Sequence, residues 1–117
     1  MINKKEIRKE YKNQKHPAGL YAVKNKPDNK MFIGTSLNLP AKIKGIAFEL
    51  EMGSHTYDNL VNDYKKLDKE NFEIFILDQI EFKEETDREL RTELETLEAM
   101  QVEKLKNEGV SFYKKSN

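Results

Sequence analysis

The side chains able to do chemistry fall into two sets of opposite sign. Residues 1–44 hold eleven Lys or Arg against three acidic residues, a balance of +8, and residues 45–117 hold ten against eighteen, a balance of −8. The two cancel, so the formal net charge is zero. The basic set comprises Lys4, Lys5, Arg8, Lys9, Lys12 and Lys15, then Lys24, Lys26 and Lys30, then Lys42 and Lys44. Cations at this density meet phosphates by displacing their counterions. The acidic set includes Glu89, Glu93, Glu95 and Glu98, which repel phosphate and suit a basic protein partner. If the two sets interleave in the folded chain, they make a mixed, solvated surface instead. His16, before Pro17, reads as a surface residue, and His55, two residues after Gly53, as a local cap or packing group. With no Cys there is no disulfide and no Cys-based zinc site, which fits a reducing compartment.

These side chains need elements to position them. Residues 19–24 and 31–34 are short apolar runs flanking Asn25-Lys26-Pro27-Asp28-Asn29-Lys30, the pattern of a β-hairpin with strands at about 18–24 and 31–36. Tyr21 and Phe32, one on each strand, can face each other across the ladder. Asn38 suits an N-cap and Pro40 a first helical turn, so a helix runs from about 39 to 52, with Ile43, Ile46, Ala47 and Leu50 as its apolar stripe and Gly53 as its stop. A second helix spans about 57–67, with Leu60, Val61, Tyr64 and Leu67 inward. Residues 72–80 are apolar at both parities and read as a central strand buried on both faces. Thr86-Asp87-Arg88-Glu89 is a capping box opening a helix of about 87–107, and Val110–Tyr113 can add an edge strand.

The order is β-β-α-α-β-α, an α+β domain in which a small sheet is covered by helices. Residues 1–17 read as a basic N-terminal helix or arm, 18–113 as the domain and 114–117 as a polar tail. At 117 residues, with 37% hydrophobic and 36% charged residues, the chain makes one domain with a modest core. No apolar run approaches the ~20 residues of a membrane span, and the first residues lack the apolar segment of a signal peptide, so a cytoplasmic location is expected.

The ordered segments Gly19-Leu20-Tyr21, Phe32-Ile33-Gly34, Ser36-Leu37-Asn38, Gly53-Ser54-His55 and Asn71-Phe72 through Ile76-Leu77 together resemble the GIY-YIG nuclease family, in its phage and intron homing-endonuclease subgroup. The resemblance covers about residues 18–107. It implies a three-stranded antiparallel sheet flanked by helices, and phosphodiester hydrolysis. Tyrosine, histidine and a bidentate arginine act on the phosphate in that family, and a glutamate holds one divalent metal, Mg2+ or Mn2+.

Carried onto this chain, the pattern is altered. Tyr21 matches the first tyrosine, but Phe32 replaces the second. Lys42 stands at the arginine position and Ile46 at that of a histidine. His55 keeps the second histidine. Glu98, followed by Val102 and Leu105, fits the metal-binding glutamate, with Gln101 at a tryptophan position and Glu89, Glu93 and Glu95 as rivals. The resemblance therefore implies catalysis by Tyr21, Lys42 and His55, metal at Glu98, and nucleic-acid contacts at Lys24, Lys26, Lys30 and Lys44. With three positions replaced, the expectation is a degenerate site that binds nucleic acid, DNA before RNA, or a partner protein, with little or no cleavage. An active endonuclease using Lys42 or Lys44 in place of the arginine is one alternative. A phage or mobile-element inhibitor of a host enzyme is another.

Overall fold

A computed structural model of the chain describes residues 17–80 and 86–114. The hairpin is present as β1 (Ala18–Asn25) and β2 (Lys30–Ser36), antiparallel and in register from Gly19 opposite Ser36 to Asn25 opposite Lys30. Its loop is tied locally, the Asp28 N–H donating to Asn25 Oδ1 at 3.3 Å. Three helices follow in the expected places: α1 (Leu39–Met52), α2 (Asp58–Leu67) and α3 (Asp87–Asn107). The starts of α1 and α3 have the caps that the sequence supplies. Asn38 Oδ1 accepts the Ala41 N–H at 3.2 Å, and Thr86 Oγ1 accepts the Glu89 N–H at 3.1 Å. Gly53, at φ 73°, takes the left-handed conformation that ends α1. The N-terminal arm expected over residues 1–17 lies, up to residue 16, outside the described residues.

The sheet differs from expectation in two ways. Among the described residues it has four strands rather than the three the resemblance implies, the fourth being the edge strand read over Val110–Tyr113; the order is β3-β1-β2-β4, with β3 (Phe72–Ile80) antiparallel to β1 and the short β4 (Ser111–Phe112) parallel to β2. In addition β3, expected at the centre, lies at an edge, and β1 is central. The apolar run of β3 has a different cause. The sheet is a middle layer with helices on both faces. Phe72 and Ile74 of β3 join the cluster of Tyr21, Val23, Leu39, Ile46, Leu50, Leu60 and Val61 on the α1–α2 face. Phe75 and Leu77 join Leu20, Ala22, Met31 and Ile33 with Leu97, Val102 and Leu105 of α3 on the other. Two covered faces call for apolar residues at both parities, whichever position the strand takes in the sheet.

A bulge re-aims the strand at Tyr21. Between Leu20 and Tyr21 the register against β3 slips, so that Leu20 faces Asp78 and Tyr21 faces Ile76. On its other side Tyr21 pairs with Gly34, and its ring lies across that glycine. A Cβ at Gly34 would overlap the Tyr21 hydroxyl and ring, so the glycine makes room for the tyrosine. Gly34→Ala is accordingly expected to lower stability by about 1–3 kcal/mol, the cost of an extra methyl in a packed site. Urea unfolding checks the loss, and a changed Tyr21 ring resonance in NMR checks its cause.

Candidate active site

Tyr21 and Phe32 sit diagonally across the β1–β2 ladder, since Phe32 pairs with Val23 and Tyr21 with Gly34. They are not directly opposed as expected, but their side chains share the face toward α1 and α2, with ring centroids 6.0 Å apart. Phe32 is the hub. His55 and Tyr57, in the segment between α1 and α2, present rings to it at 5.0 and 4.7 Å, both edge-on. His55 and Tyr57 in turn lie 5.7 Å apart. The Tyr57 N–H donates to His55 Nδ1 at 3.0 Å. That bond fixes the neutral tautomer, with the imidazole proton on Nε2.

Charged groups ring this aromatic cluster. Burial first, and then Glu49, Glu98 and Tyr57, push the Tyr21 hydroxyl up from 10.0 to about 12. Burial lowers the pKa of His55 and Lys42 lowers it further, while Glu49 opposes them. Glu98, half-buried on α3, has its pKa raised by burial and then by Glu95. Tyr21, Lys42, His55 and Glu98 thus share one electrostatic neighbourhood. Of the rival glutamates, Glu89, Glu93 and Glu95 are exposed. Gln101 donates through Nε2 to Asp78 Oδ2 at 3.4 Å, tying α3 to β3 beside the bulge.

The other residues singled out stand elsewhere. Lys24, Lys26 and Lys30 cluster at the closed end of the hairpin, three to nine positions along the chain from Tyr21. The Lys30 ammonium lies 4.5 Å from the centroid of the Tyr113 ring. Lys44 is exposed on α1. Ile46, 2% exposed, belongs to the core, so the position where the family resemblance calls for a histidine is taken by packing. Two residues of this neighbourhood escaped the sequence reading. Glu49 acts on both Tyr21 and His55, and its position seven after Lys42 puts the two on one helix flank. Tyr57 carries no motif, and its nearness to His55 in sequence was the signal available.

The arrangement limits the acid–base chemistry on offer. With its pKa near 12, Tyr21 is a phenolate in only roughly one molecule in 10⁵ at pH 7, so it donates or orients rather than abstracts a proton. His55 offers a donor at Nε2, because its other nitrogen already accepts a backbone proton. Tyr21 is therefore expected to titrate near 12, and stability should follow. A proton held more tightly in the folded state stabilises it below the unfolded value of 10.0, and this contribution is lost as pH rises toward 12. Phenolate absorbance of wild type against Tyr21→Phe measures the pKa, which an unshifted tyrosine at this position would contradict.

Among the described residues no group of three or more His, Cys, Asp or Glu could hold a metal ion. The donor set therefore does not fit a closed cage. The carboxylates that act on Tyr21 are those of Glu49 and Glu98, both half-buried.

Two solved structures share the fold. The catalytic domain of the homing endonuclease I-TevI matches with TM-score 0.65 at 22% identity, over 86% of this chain and 99% of that one. A glutamate-to-alanine variant of the catalytic domain of intron endonuclease I-TevI matches with TM-score 0.64 at 20% identity, over 86% and 97%. No family model matches the sequence, and no curated protein matches it.

Proposed function

On the premise that this chain has the GIY-YIG fold, we propose that it is a nucleic-acid-binding domain of nuclease type, preferring DNA, that hydrolyses phosphodiester bonds slowly or not at all. One observation carries this reading. The Phe32 ring, without a hydroxyl, stands at the hub of the cluster, touching Tyr21, His55 and Tyr57. The groups around it bind better than they catalyse. Lys42 offers phosphate a point charge and not the planar fork of arginine. Tyr21 is held neutral, and His55 has its proton on the nitrogen left free. Glu98 would hold a Mg2+ or Mn2+ ion, which supplies charge neutralisation on the phosphate and the leaving oxygen when bound. No helix of the described residues is long and apolar enough to cross a membrane, and a cytoplasmic site of action is part of the proposal.

A gel-shift assay beside a supercoiled-plasmid assay with Mg2+ or Mn2+ tests this. Duplex DNA is expected to bind with affinity falling steeply as salt rises, since each lysine contact releases counterions. Reversing the charge of Lys24, Lys26 and Lys30 together is expected to weaken binding regardless of sequence, and nicking by wild type is expected to be slow or absent. Rapid cleavage that is lost in Glu98→Gln would make the protein an active endonuclease. Failure to bind any nucleic acid at low salt would turn the search to protein partners, the acidic face of α3 first.

A further inference from the structure

We propose that α1 is a self-complementary docking helix through which two copies of this chain pair antiparallel about a two-fold axis. The observation behind it is an outward face the core does not use. Phe48 and Met52 are 64% and 66% exposed, one turn apart, on a helix whose opposite side buries Leu39, Ile46 and Leu50. Ala41 and Gly45 lie on the same outward face. At about 100° per residue the four positions fall within roughly 60° of one another, so they form one stripe. The stripe is small at its N-terminal half and bulky at its C-terminal half.

Gly45 is the telling residue. A glycine in the middle of a helix costs about 1 kcal/mol relative to alanine. Nothing among the described residues explains it, for no atom lies within 4 Å of the place a Cβ would occupy. The explanation fits a partner. In an antiparallel pair, Gly45 and Ala41 of one copy stand opposite Phe48 and Met52 of the other, and the large side chains fill the space over the small ones.

The charges beside the stripe obey the same symmetry. Lys42 and Glu49 lie on one flank, Lys44 and Glu51 on the other. A two-fold axis perpendicular to the helices keeps each flank against its own counterpart with its direction reversed. Lys42 then meets Glu49 of the second copy, and Lys44 meets Glu51. A parallel pair would set lysines against lysines. Glu51 also accepts from the Tyr64 hydroxyl at 3.3 Å and lies 3.9 Å from the Lys69 ammonium, and its side chain stays 54% exposed. A lone lysine-flanked stripe would suit nucleic acid, but the two glutamates on its bulky half speak for this chain as the occupant. The two-fold also brings the flank carrying Lys42 and Glu49 to the same side in both copies. One α1 pair makes a small interface, so a weak, reversible dimer on the order of micromolar is expected. The inference shares Lys42 and Glu49 with the candidate site, but it does not rest on the nuclease reading, and its test reads self-association rather than DNA binding or cleavage.

Sedimentation equilibrium of the full chain over a range of concentrations tests it. Wild type is expected to shift from monomer to dimer. Gly45→Leu fills the hole, so it is expected to remove the dimer while the monomer's thermal midpoint, read at low concentration, stays equal or rises. Lys44→Glu alone and Glu51→Lys alone are each expected to weaken self-association about tenfold or more, because like charges then meet across the axis. Mixing those two variants is expected to restore a dimer, now of unlike chains. A wild type that stays monomeric throughout overturns the proposal, including the case in which Phe48→Glu weakens DNA binding and so marks the stripe as a nucleic-acid contact. A dimer that Gly45→Leu and the charge variants leave intact overturns it too, since association then runs through another surface.

Discussion

Lys42→Arg is expected to raise metal-dependent nicking of supercoiled plasmid on the order of 10²-fold over wild type, with little change in DNA affinity. The expectation follows from the site's geometry. Lys42 lowers the pKa of His55, so its charge is felt at the aromatic cluster, where the proposed function puts the phosphate. An ammonium there supplies charge but makes no paired contacts to two phosphate oxygens, and a guanidinium does. Removing a single donor to developing transition-state charge typically slows an enzyme by about 10²–10³, and restoring one should recover a comparable factor. Glu98→Gln added to Lys42→Arg is expected to abolish the gain, which ties it to the same site. Phe32→Tyr should add to it by returning a hydroxyl to the hub. Ile46→His should not, because that position is buried in the core, and an imidazole there would lose packing and lack solvent. A Lys42→Arg protein that binds DNA as before and nicks no faster would show that the missing fork is not what limits the chemistry.

The features legible in the sequence were those set by local rules. Asn38, Pro40 and Gly53 bracket α1, and Thr86 opens α3, because caps and stops act within a turn of their own residue. Gly19 and Gly34 mark the hairpin motifs for reasons the structure makes steric. A side chain at Gly19 would strike the β3 backbone at Asp78 and Gln79, and one at Gly34 would strike Tyr21. The site's motif residues were legible through the ordered resemblance alone, since no periodicity distinguishes Tyr21 or His55 from a packing residue. The position of β3 was not legible. Apolar residues at both parities report two covered faces, and they say nothing of whether a neighbour pairs on each edge. Glu49 and Tyr57 were missed for a related reason. Their part in the site comes from α1 and the α1–α2 segment folding over one face of the hairpin, a juxtaposition that neither residue's own sequence surroundings encode.

The fourth strand falls where the sequence offered an edge strand, and Tyr113 is expected to be what secures it. Two residues in parallel pairing make a weak strand by themselves, although the Ser111 and Tyr113 N–H groups donate to the Asn29 and Met31 carbonyls at 3.1 and 2.9 Å. Tyr113 supplies the rest. Its ring is buried in the core face shared by α1 and α2, beneath the Lys30 ammonium. Its hydroxyl donates to Asp63 Oδ2 at 2.8 Å and accepts from Asn25 Nδ2 at 3.0 Å. Asn25 is 0% exposed and also donates to Asp28 Oδ2 at 2.9 Å, so one phenol links the C-terminal segment, α2 and the hairpin turn. Burial, foremost, raises the pKa of that hydroxyl, which keeps it a donor at neutral pH. Tyr113→Ala should therefore cost about 3–5 kcal/mol, from the lost ring and the cavity left behind. Tyr113→Phe should cost about 1–2 kcal/mol, because it keeps the ring and strands the buried Asn25 amide without one of its acceptors. Against a total of about 5–15 kcal/mol for a domain, the first change should leave the protein only marginally folded at room temperature. Urea midpoints at unchanged slope would measure both. Equal, small losses for the two variants would mean that the segment after α3 merely lies against the sheet, and that the three antiparallel strands hold the fold without it.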